Sequence, residues 1–225
     1  MYLHSFSHFR ALAILLIVAG HCYGLAGWNI NSVGERAVAS VISGSTALFV
    51  FISGFFFHHV FYRRFHYSAF VKKKLLAVYL PYLFWSALGI AYYVYWLQKP
   101  PFFDQLYSGD SGLWAEHLWP ILQYLWYGSS SVPYWYIPFI MLTFLLSPLH
   151  VLFLRQKPSL QLVVGLVSVA AAMLIQRPDY NLSVWQSFVY FSPFYLLGML
   201  VSQHDTTIRR WLSGQETTLF FVVAL

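Results

Sequence analysis

Long apolar runs dominate the chain and predict membrane-spanning helices. A spanning helix needs about 20 mostly apolar residues. Six segments reach or approach that length, and none contains Asp, Glu, Lys or Arg: Ala11–Gly27, Ala37–Phe61, Leu75–Gln98, Val132–Leu154, Pro158–Gln176 and Tyr180–Gln203. We therefore predict an all-α, multi-pass transmembrane helical bundle with about six full spans.

Two further segments are apolar but too short to span a membrane. Thr217–Leu225 begins a seventh apolar run, which is still apolar at the last residue. Leu113–Tyr127 is aromatic, contains Pro120 and fits an interfacial or re-entrant helix better than a span. We interpret residues 1–225 as a single transmembrane domain that is incomplete at its C-terminus.

Composition supports the membrane interpretation and excludes several other classes. Of the 225 residues, 59% are hydrophobic and 9% are charged, whereas an ordinary soluble domain is about 25% charged. A soluble fold of this size could not bury so much apolar surface. The net charge is +6, but no aromatic–basic motif accompanies it, so we expect a lipid bilayer and no nucleic acid as a partner.

The basic residues predict the orientation of the chain in the membrane. If the N-terminus is cytoplasmic, ten basic residues lie at cytoplasmic ends: Arg10, Arg63, Arg64, Lys72, Lys73, Lys74, Arg155, Lys157, Arg209 and Arg210. The outer segments then hold only three, which are Arg36, Lys99 and Arg177. Because cytoplasmic loops carry an excess of Lys and Arg, we predict a multi-pass protein of an inner or plasma membrane with a cytoplasmic N-terminus.

Two ionisable residues stand out in the first span. His21 follows Arg10 by eleven residues, which places both on one helix face, offset by about 20° and separated by about 16 Å along the axis. An ionisable group at such depth usually faces a cavity or a partner. The alternative is a neutral histidine hydrogen-bonded between helices, with Arg10 acting only as a cytoplasmic anchor.

These two residues and four later blocks carry a family resemblance. The chain resembles the acyltransferase 3 family of integral membrane O-acyltransferases, whose hallmark is a basic residue and a histidine separated by ten residues in the first span. The other family blocks have counterparts here in the same order: Leu48–Phe57 (LFVFISGFFF), Lys72–Lys74 before Pro81, Pro133–Pro148 (PYWYIPFIMLTFLLSP) and Phe191–Leu200 (FSPFYLLGML). Family members have further C-terminal spans that are missing from this sequence.

The resemblance implies an activity and a set of site residues. It implies transfer of an acyl group, commonly acetyl, from cytoplasmic acyl-CoA to a hydroxyl of an envelope or surface carbohydrate. His21 would be the catalytic residue, and Arg10, Lys72, Lys73 and Lys74 would bind the anionic donor. Acetyl-CoA would be a co-substrate, and no bound cofactor is expected.

The role of His21 has two versions. Imidazole exchanges a proton near neutral pH, so His21 could act as a general base toward the acceptor hydroxyl. A transient acyl-histidine is the alternative. The basic cluster Lys72–Lys74 could instead be only a topology signal.

Three other residues are candidates for lining the site. Ser53 lies in the Ser-Gly-Phe block, but Ser53–Gly54 also fits a close helix contact. Trp135 and Tyr136 begin a span at the outer interface, where aromatic residues are common without any catalytic role. No His, Cys, Asp and Glu pattern has zinc-ligand spacing, so no metal is predicted.

Two other functions remain open from the sequence. A non-enzymatic transporter or flippase of glycan precursors would carry buried charges within its spans, and the six predicted spans have none. The second alternative is an inactive truncated remnant. The sequence makes no prediction of the oligomeric state.

Overall fold

A computed structural model describes residues 4–25, 30–92, 96, 112, 118–179 and 182–213. Within these ranges every regular element is a helix. The α-helices are α1 His4–Leu25, α2 Val33–Ser43, α3 Ser45–Phe56, α4 Tyr67–Lys74, α5 Leu80–Ala91, α6 Trp119–Tyr127, α7 Tyr136–Leu145, α8 Ser147–Leu154, α9 Pro158–Ile175, α10 Val184–Gln203 and α11 Asp205–Leu212. The π-helical turn Phe57–Phe61 continues α3, and a second π-helical turn, Leu75–Tyr79, joins α4 to α5. Two 3₁₀ turns occupy Tyr62–Arg64 and Val132–Trp135.

Four helical runs are long and apolar enough to cross a membrane: Val33–Arg64, Tyr67–Ala91, Pro158–Ile175 and Val184–Gln203. The bent pair formed by α7 and α8 makes a fifth if it is counted as one span. The all-α membrane fold is thus confirmed. The number of spans stays a prediction, because the apolar part described for α1, His8–Cys22, is shorter and Thr217–Leu225 lies outside the described residues.

The segment predicted as one span, Val132–Leu154, contains a bend of 54° between α7 and α8. The bend falls at Leu146, whose backbone angles are φ −83° and ψ 10°. Pro148 follows two residues later, has no N–H to donate, and its ring collides with the carbonyl four residues earlier in a continuous helix. Proline chemistry therefore accounts for the break.

The short aromatic segment predicted at Leu113–Tyr127 is partly described and contributes α6. Pro120 occupies the first turn of this helix, where the missing N–H has no helical partner to lose. α6 ends at Gly128, which has a left-handed backbone with φ 66°. A Cβ there would overlap the backbone of Tyr134 and Trp135, so a larger residue would not fit this turn. Residues 113–117 lie outside the described part.

The chain divides into two compact units, and the boundary falls within α10. Unit 1 comprises Met1–Arg64 and Phe194–Leu225, and unit 2 comprises Phe65–Pro193. The single domain predicted from the sequence for residues 1–225 stays a prediction.

Unit 1 is organised around α3. α1 packs against both α2 and α3. The buried side chains of this unit include Val50, Ile52, Phe55, Phe57, Tyr195 and Met199. α2 begins with a capping box in which the Ser32 hydroxyl accepts from the Glu35 N–H, and the Glu35 carboxylate accepts from the Ser32 N–H at 2.7 Å.

Unit 2 is organised around α7. All residues from Pro138 to Phe144 are buried, as expected of a helix that is apolar on every side and lies in a core. α5 presents a buried stripe of Tyr82, Ser86 and Ile90, which is the four-residue spacing of one helix face. The Tyr82 hydroxyl donates to the Leu125 carbonyl at 2.7 Å and so fixes α5 against α6.

Candidate functional site

The predicted catalytic pair lies on one continuous helix. α1 runs without a break from His4 to Leu25, so Arg10 and His21 keep the offset of about 20° that helical geometry requires. Both side chains are exposed in unit 1.

The surroundings of this pair follow from the packing of α1. Ala13 is completely buried, and a Cβ at Gly20 would lie 3.2 Å from the Ile42 side chain. At 100° per residue, Ala13 and Gly20 lie about 60–80° from Arg10 around the helix. The stripe of Arg10 and His21 thus borders the packed face of α1 and lies outside it.

Ser53 and Gly54 have separate structural roles. The Ser53 hydroxyl donates to the Phe49 carbonyl of its own helix at 3.0 Å, a local bond that satisfies it within a membrane helix. A Cβ on Gly54 would overlap the Tyr195 carbonyl, and a Cβ on Gly198 would overlap the Phe51 carbonyl. Gly54 therefore serves helix packing, and the site-lining role of Ser53 stays a prediction.

The three lysines of the basic cluster differ in their surroundings. Lys72 and Lys73 are exposed at the end of α4, whereas Lys74 is partly buried. The Lys74 Nζ lies 4.5 Å from the centre of the Phe144 ring and 5.5 Å from that of Phe70, which is within cation–π range. Lys74 therefore contributes to the packing of α4 on α7.

Trp135 lies in a stack of aromatic rings in unit 2. Its ring lies 5.9 Å from that of Phe191 at an angle of 25°, and 6.3 Å from that of Phe139 at 26°. Tyr136 contacts Phe139 edge to face at 5.6 Å. Offset stacks at these separations are favourable, and Trp135 is 9% exposed. The predicted lining residues Trp135 and Tyr136 are thus brought together, within an aromatic cluster.

Arg177, predicted from the sequence only as an outer charge, contacts this stack. Its Cζ lies 5.4 Å from the centre of the Trp135 ring and 5.8 Å from that of Phe191. The preceding residue, Gln176, has φ 60° and ψ 178°, a region used almost only by glycine, and such a residue costs about 1–3 kcal/mol. The sequence signal that could have indicated this position is a polar Gln-Arg-Pro turn directly after an apolar helix.

A second contact that was not predicted from the sequence joins the turn Phe57–Phe61, which continues α3, to α10. The His58 Nδ1 lies 2.8 Å from the Ser202 hydroxyl, and the His58 ring stacks on Tyr62 at 5.2 Å. A polar pair of this kind links helices within a membrane. Both residues belong to unit 1.

The predicted site residues are distributed over the two units. Arg10, His21 and Ser53 belong to unit 1, and Lys72, Lys73, Lys74, Trp135 and Tyr136 belong to unit 2. Among the residues that the structure describes, no group of three His, Cys, Asp or Glu side chains could hold a metal ion.

Comparison with known protein families gives a match over almost the whole chain. A family model described as an acyltransferase domain matches residues 3–225, almost the whole chain. No curated protein and no solved structure matches the chain significantly.

Proposed function

The chain belongs to the acyltransferase 3 family, and from this premise we propose that it transfers an acetyl group from cytoplasmic acetyl-CoA to a hydroxyl of an envelope or surface carbohydrate. Family membership and the apolar helices make it a membrane acyltransferase. The donor, the acceptor and the acetyl group are the proposed part.

The observation that carries the proposal is the placement of Arg10 and His21. Both are exposed on the uninterrupted helix α1, about 16 Å apart along its axis. A cation near the cytoplasmic surface and an imidazole about 16 Å farther along the helix suit a donor with an anionic nucleotide and a long, thin thioester arm. The anionic end would bind near Arg10 and the thioester would reach toward His21.

His21 is the proposed general base. Its imidazole accepts the proton of the acceptor hydroxyl as the hydroxyl oxygen attacks the thioester carbonyl. The new bond is an oxygen ester, the carbon–sulfur bond breaks, and the CoA thiolate leaves and takes up a proton. The protein's contribution is to place the base, the hydroxyl and the carbonyl together.

Lys72 and Lys73 are the proposed partners of the donor phosphates. Both are exposed at the C-terminal end of α4, and under the positive-inside rule they lie at the cytoplasmic surface. Ammonium groups form charge-assisted hydrogen bonds with phosphate. Lys74 is partly occupied by the Phe144 ring, so we assign it the smaller share of donor binding.

The acceptor is proposed to approach from the opposite side. If the chain lies in a bacterial inner membrane with its N-terminus in the cytoplasm, Trp135 and Tyr136 lie at the outer end of α7. Trp135 is packed against Phe139 and Phe191, so the acceptor is proposed to bind beside this aromatic cluster, whose members combine apolar rings with polar tips.

Acyl transfer in isolated membranes tests the proposal. Membranes that contain the chain are incubated with acetyl-CoA labelled in the acetyl group, and alkali-labile label is measured in the carbohydrate fraction. Label should appear with the unaltered chain and disappear with His21→Ala. Mass spectrometry of envelope glycans from cells with and without the intact gene identifies the acetylated hydroxyl.

Two outcomes would contradict the proposal. If the unaltered chain and His21→Ala incorporated equal label, His21 would not be the general base. Label found in lipid or protein instead of carbohydrate would show that the acceptor is not a carbohydrate.

A further inference from the structure

We propose that α11 lies on the membrane surface and binds anionic phospholipid headgroups, with its apolar side chains in the lipid and its arginines against the phosphates. The helix comprises Asp205–Leu212 and follows α10, one of the long apolar runs, after a single residue. It lies outside the sequence blocks that carry the family resemblance and outside the predicted site. The inference is independent of the proposed function, because it concerns how unit 1 meets the bilayer.

The break between α10 and α11 falls at His204. Its backbone angles are φ −105° and ψ 17°, which lie outside the helical region. A new helix begins at once, since the His204 carbonyl accepts from the N–H groups of Thr207 and Ile208 at 3.0 and 2.9 Å. α10 has 20 residues, a length that crosses the hydrocarbon layer. α11 therefore starts at the level where the chain leaves the hydrocarbon.

α11 has an apolar side and a basic side. At 100° per residue, Ile208, Trp211 and Leu212 fall within an arc of about 100°, and Arg210 lies about 160° from Ile208. Trp211 is 69% exposed, and none of the other described helices packs extensively against α11. Tryptophan is enriched at membrane interfaces, and amphipathic helices with a basic polar face lie in the plane of the interface. The lipid surface therefore covers the apolar side of α11.

Other basic side chains of unit 1 lie at the same end. Arg63 and His204 both interact electrostatically with His58, which places the start of α11 near the turn Tyr62–Arg64. The His58 Nδ1 also lies 2.8 Å from the hydroxyl of Ser202, next to the end of α10. Both arginines of the turn are exposed. α11 thus adds its arginines to a surface that is already basic, and such a surface attracts anionic lipids.

The two arginines of α11 contribute unequally. The Arg209 Nε donates to the Asp205 carboxylate at 2.8 Å, and this pair neutralises part of the charge of Arg209. Arg210 is exposed and forms no ion pair with any acidic residue that the structure describes. A guanidinium can hold a phosphate with two parallel hydrogen bonds. Arg210 therefore takes the larger share of headgroup binding.

Lipid titration of the full chain in detergent, followed by native mass spectrometry, tests the inference. The probes are phosphatidylglycerol and phosphatidylcholine with identical acyl chains, so that only the headgroup differs. We expect the first phosphatidylglycerol to bind more tightly by about fivefold or more, since one basic side chain near an anionic surface contributes about that factor. Arg210→Gln should lower the preference about fivefold, and Arg210→Lys should keep most of it because the charge remains.

A charge control and a pair of spin labels complete the test. Lys157→Gln removes an exposed positive charge of unit 2 on the same predicted side and should leave the preference unchanged. Spin labels are attached at Ile208→Cys and Thr206→Cys, each with Cys22→Ser, in nanodiscs that contain phosphatidylglycerol. The two positions lie about 160° apart around α11. The label at 208 should be accessible to oxygen, and the label at 206 to a water-soluble nickel complex.

Several results would overturn the inference. Equal affinity for the two lipids, or an equal loss with Lys157→Gln and Arg210→Gln, would show that α11 has no headgroup site. Equal accessibility of the two labels to the nickel complex would show that α11 lies away from the bilayer. Displacement of phosphatidylglycerol by coenzyme A would assign the arginines to a nucleotide phosphate. A dimer that is lost with Trp211→Ala would assign the apolar side to a second copy of the chain.

Discussion

Gly54 of α3 and Gly198 of α10 each lie against the backbone of the other's helix. A Cβ on Gly54 would overlap the Tyr195 carbonyl, and a Cβ on Gly198 would overlap the Phe51 carbonyl. The two glycines come from separate sequence blocks of the family resemblance, Leu48–Phe57 and Phe191–Leu200. The reciprocal contact accounts for the glycine in each block by close helix packing, which small residues permit in membranes.

Gly54→Ala should therefore destabilise the protein. The obstacle is a backbone carbonyl, which cannot rotate away, so we expect a loss of about 3 kcal/mol in the free energy of unfolding. Thermal unfolding of detergent-solubilised protein, followed by size-exclusion chromatography, measures the change. Gly165→Ala in α9 is the control, because a Cβ there meets nothing within 4 Å. An equal effect of the two substitutions would contradict the packing role.

Lys74→Gln should lower stability while Lys72→Gln should not. The Lys74 Nζ lies over aromatic rings, 4.5 Å from the Phe144 centre. Removal of a partly buried cation–π contact costs about 1 kcal/mol. Chemical or thermal unfolding of the two variants gives the comparison, and Lys74→Arg should restore most of the loss. Equal stability of Lys74→Gln and Lys72→Gln would show that the ring contact contributes nothing.

The helices were predictable from the sequence because a continuous apolar run of about 20 residues satisfies its backbone hydrogen bonds in a bilayer by forming a helix. The spacing of Arg10 and His21 was equally predictable, since it depends only on the regular rotation of a helix. The bend at Leu146 was not predicted, although Pro148 supplied its cause. A proline within an apolar run indicates where a break is allowed, and packing decides whether the helix bends.

The contact of Arg177 with Trp135 and Phe191 could not be predicted in the same way. It joins positions from three separated segments of the chain, and hydropathy carries no information on which helices are neighbours. The difference between Lys74 and Lys72 has the same origin, because it depends on where Phe144 lies. Long-range pairings therefore had to come from the fold.

The orientation of the chain can be tested with single cysteines. The native cysteine is first removed as Cys22→Ser, and Ser131→Cys and Ser68→Cys are introduced separately at exposed positions. With a cytoplasmic N-terminus, an impermeant maleimide should label residue 131 in intact cells and residue 68 only after permeabilisation. The reverse pattern would invert the topology and exchange the donor and acceptor sides.

The double variant Lys72→Gln, Lys73→Gln should raise the KM for acetyl-CoA by about 3- to 10-fold, since each removes one solvent-screened charge contact with phosphate. The KM for the carbohydrate should change little, because the acceptor is proposed to bind on the other side. Steady-state transfer in isolated membranes measures both constants. Lys157→Gln, also exposed on the predicted cytoplasmic side, is the control. An unchanged donor KM would leave the two lysines with a topology role alone.

His21→Ala should lower acyl transfer by about 100-fold or more, the usual contribution of a general base. Membrane insertion should be unaffected, because alanine is at least as compatible with a bilayer as histidine. Cys22→Ala is the matched control: the residue is adjacent on α1, is also exposed, and points about 100° away around the helix. Transfer rates are normalised to the amount of protein in the membrane by immunoblotting. Loss of activity in His21→Ala with retention in Cys22→Ala would assign the effect to the His21 imidazole. Equal losses would indicate that this part of α1 acts only through packing.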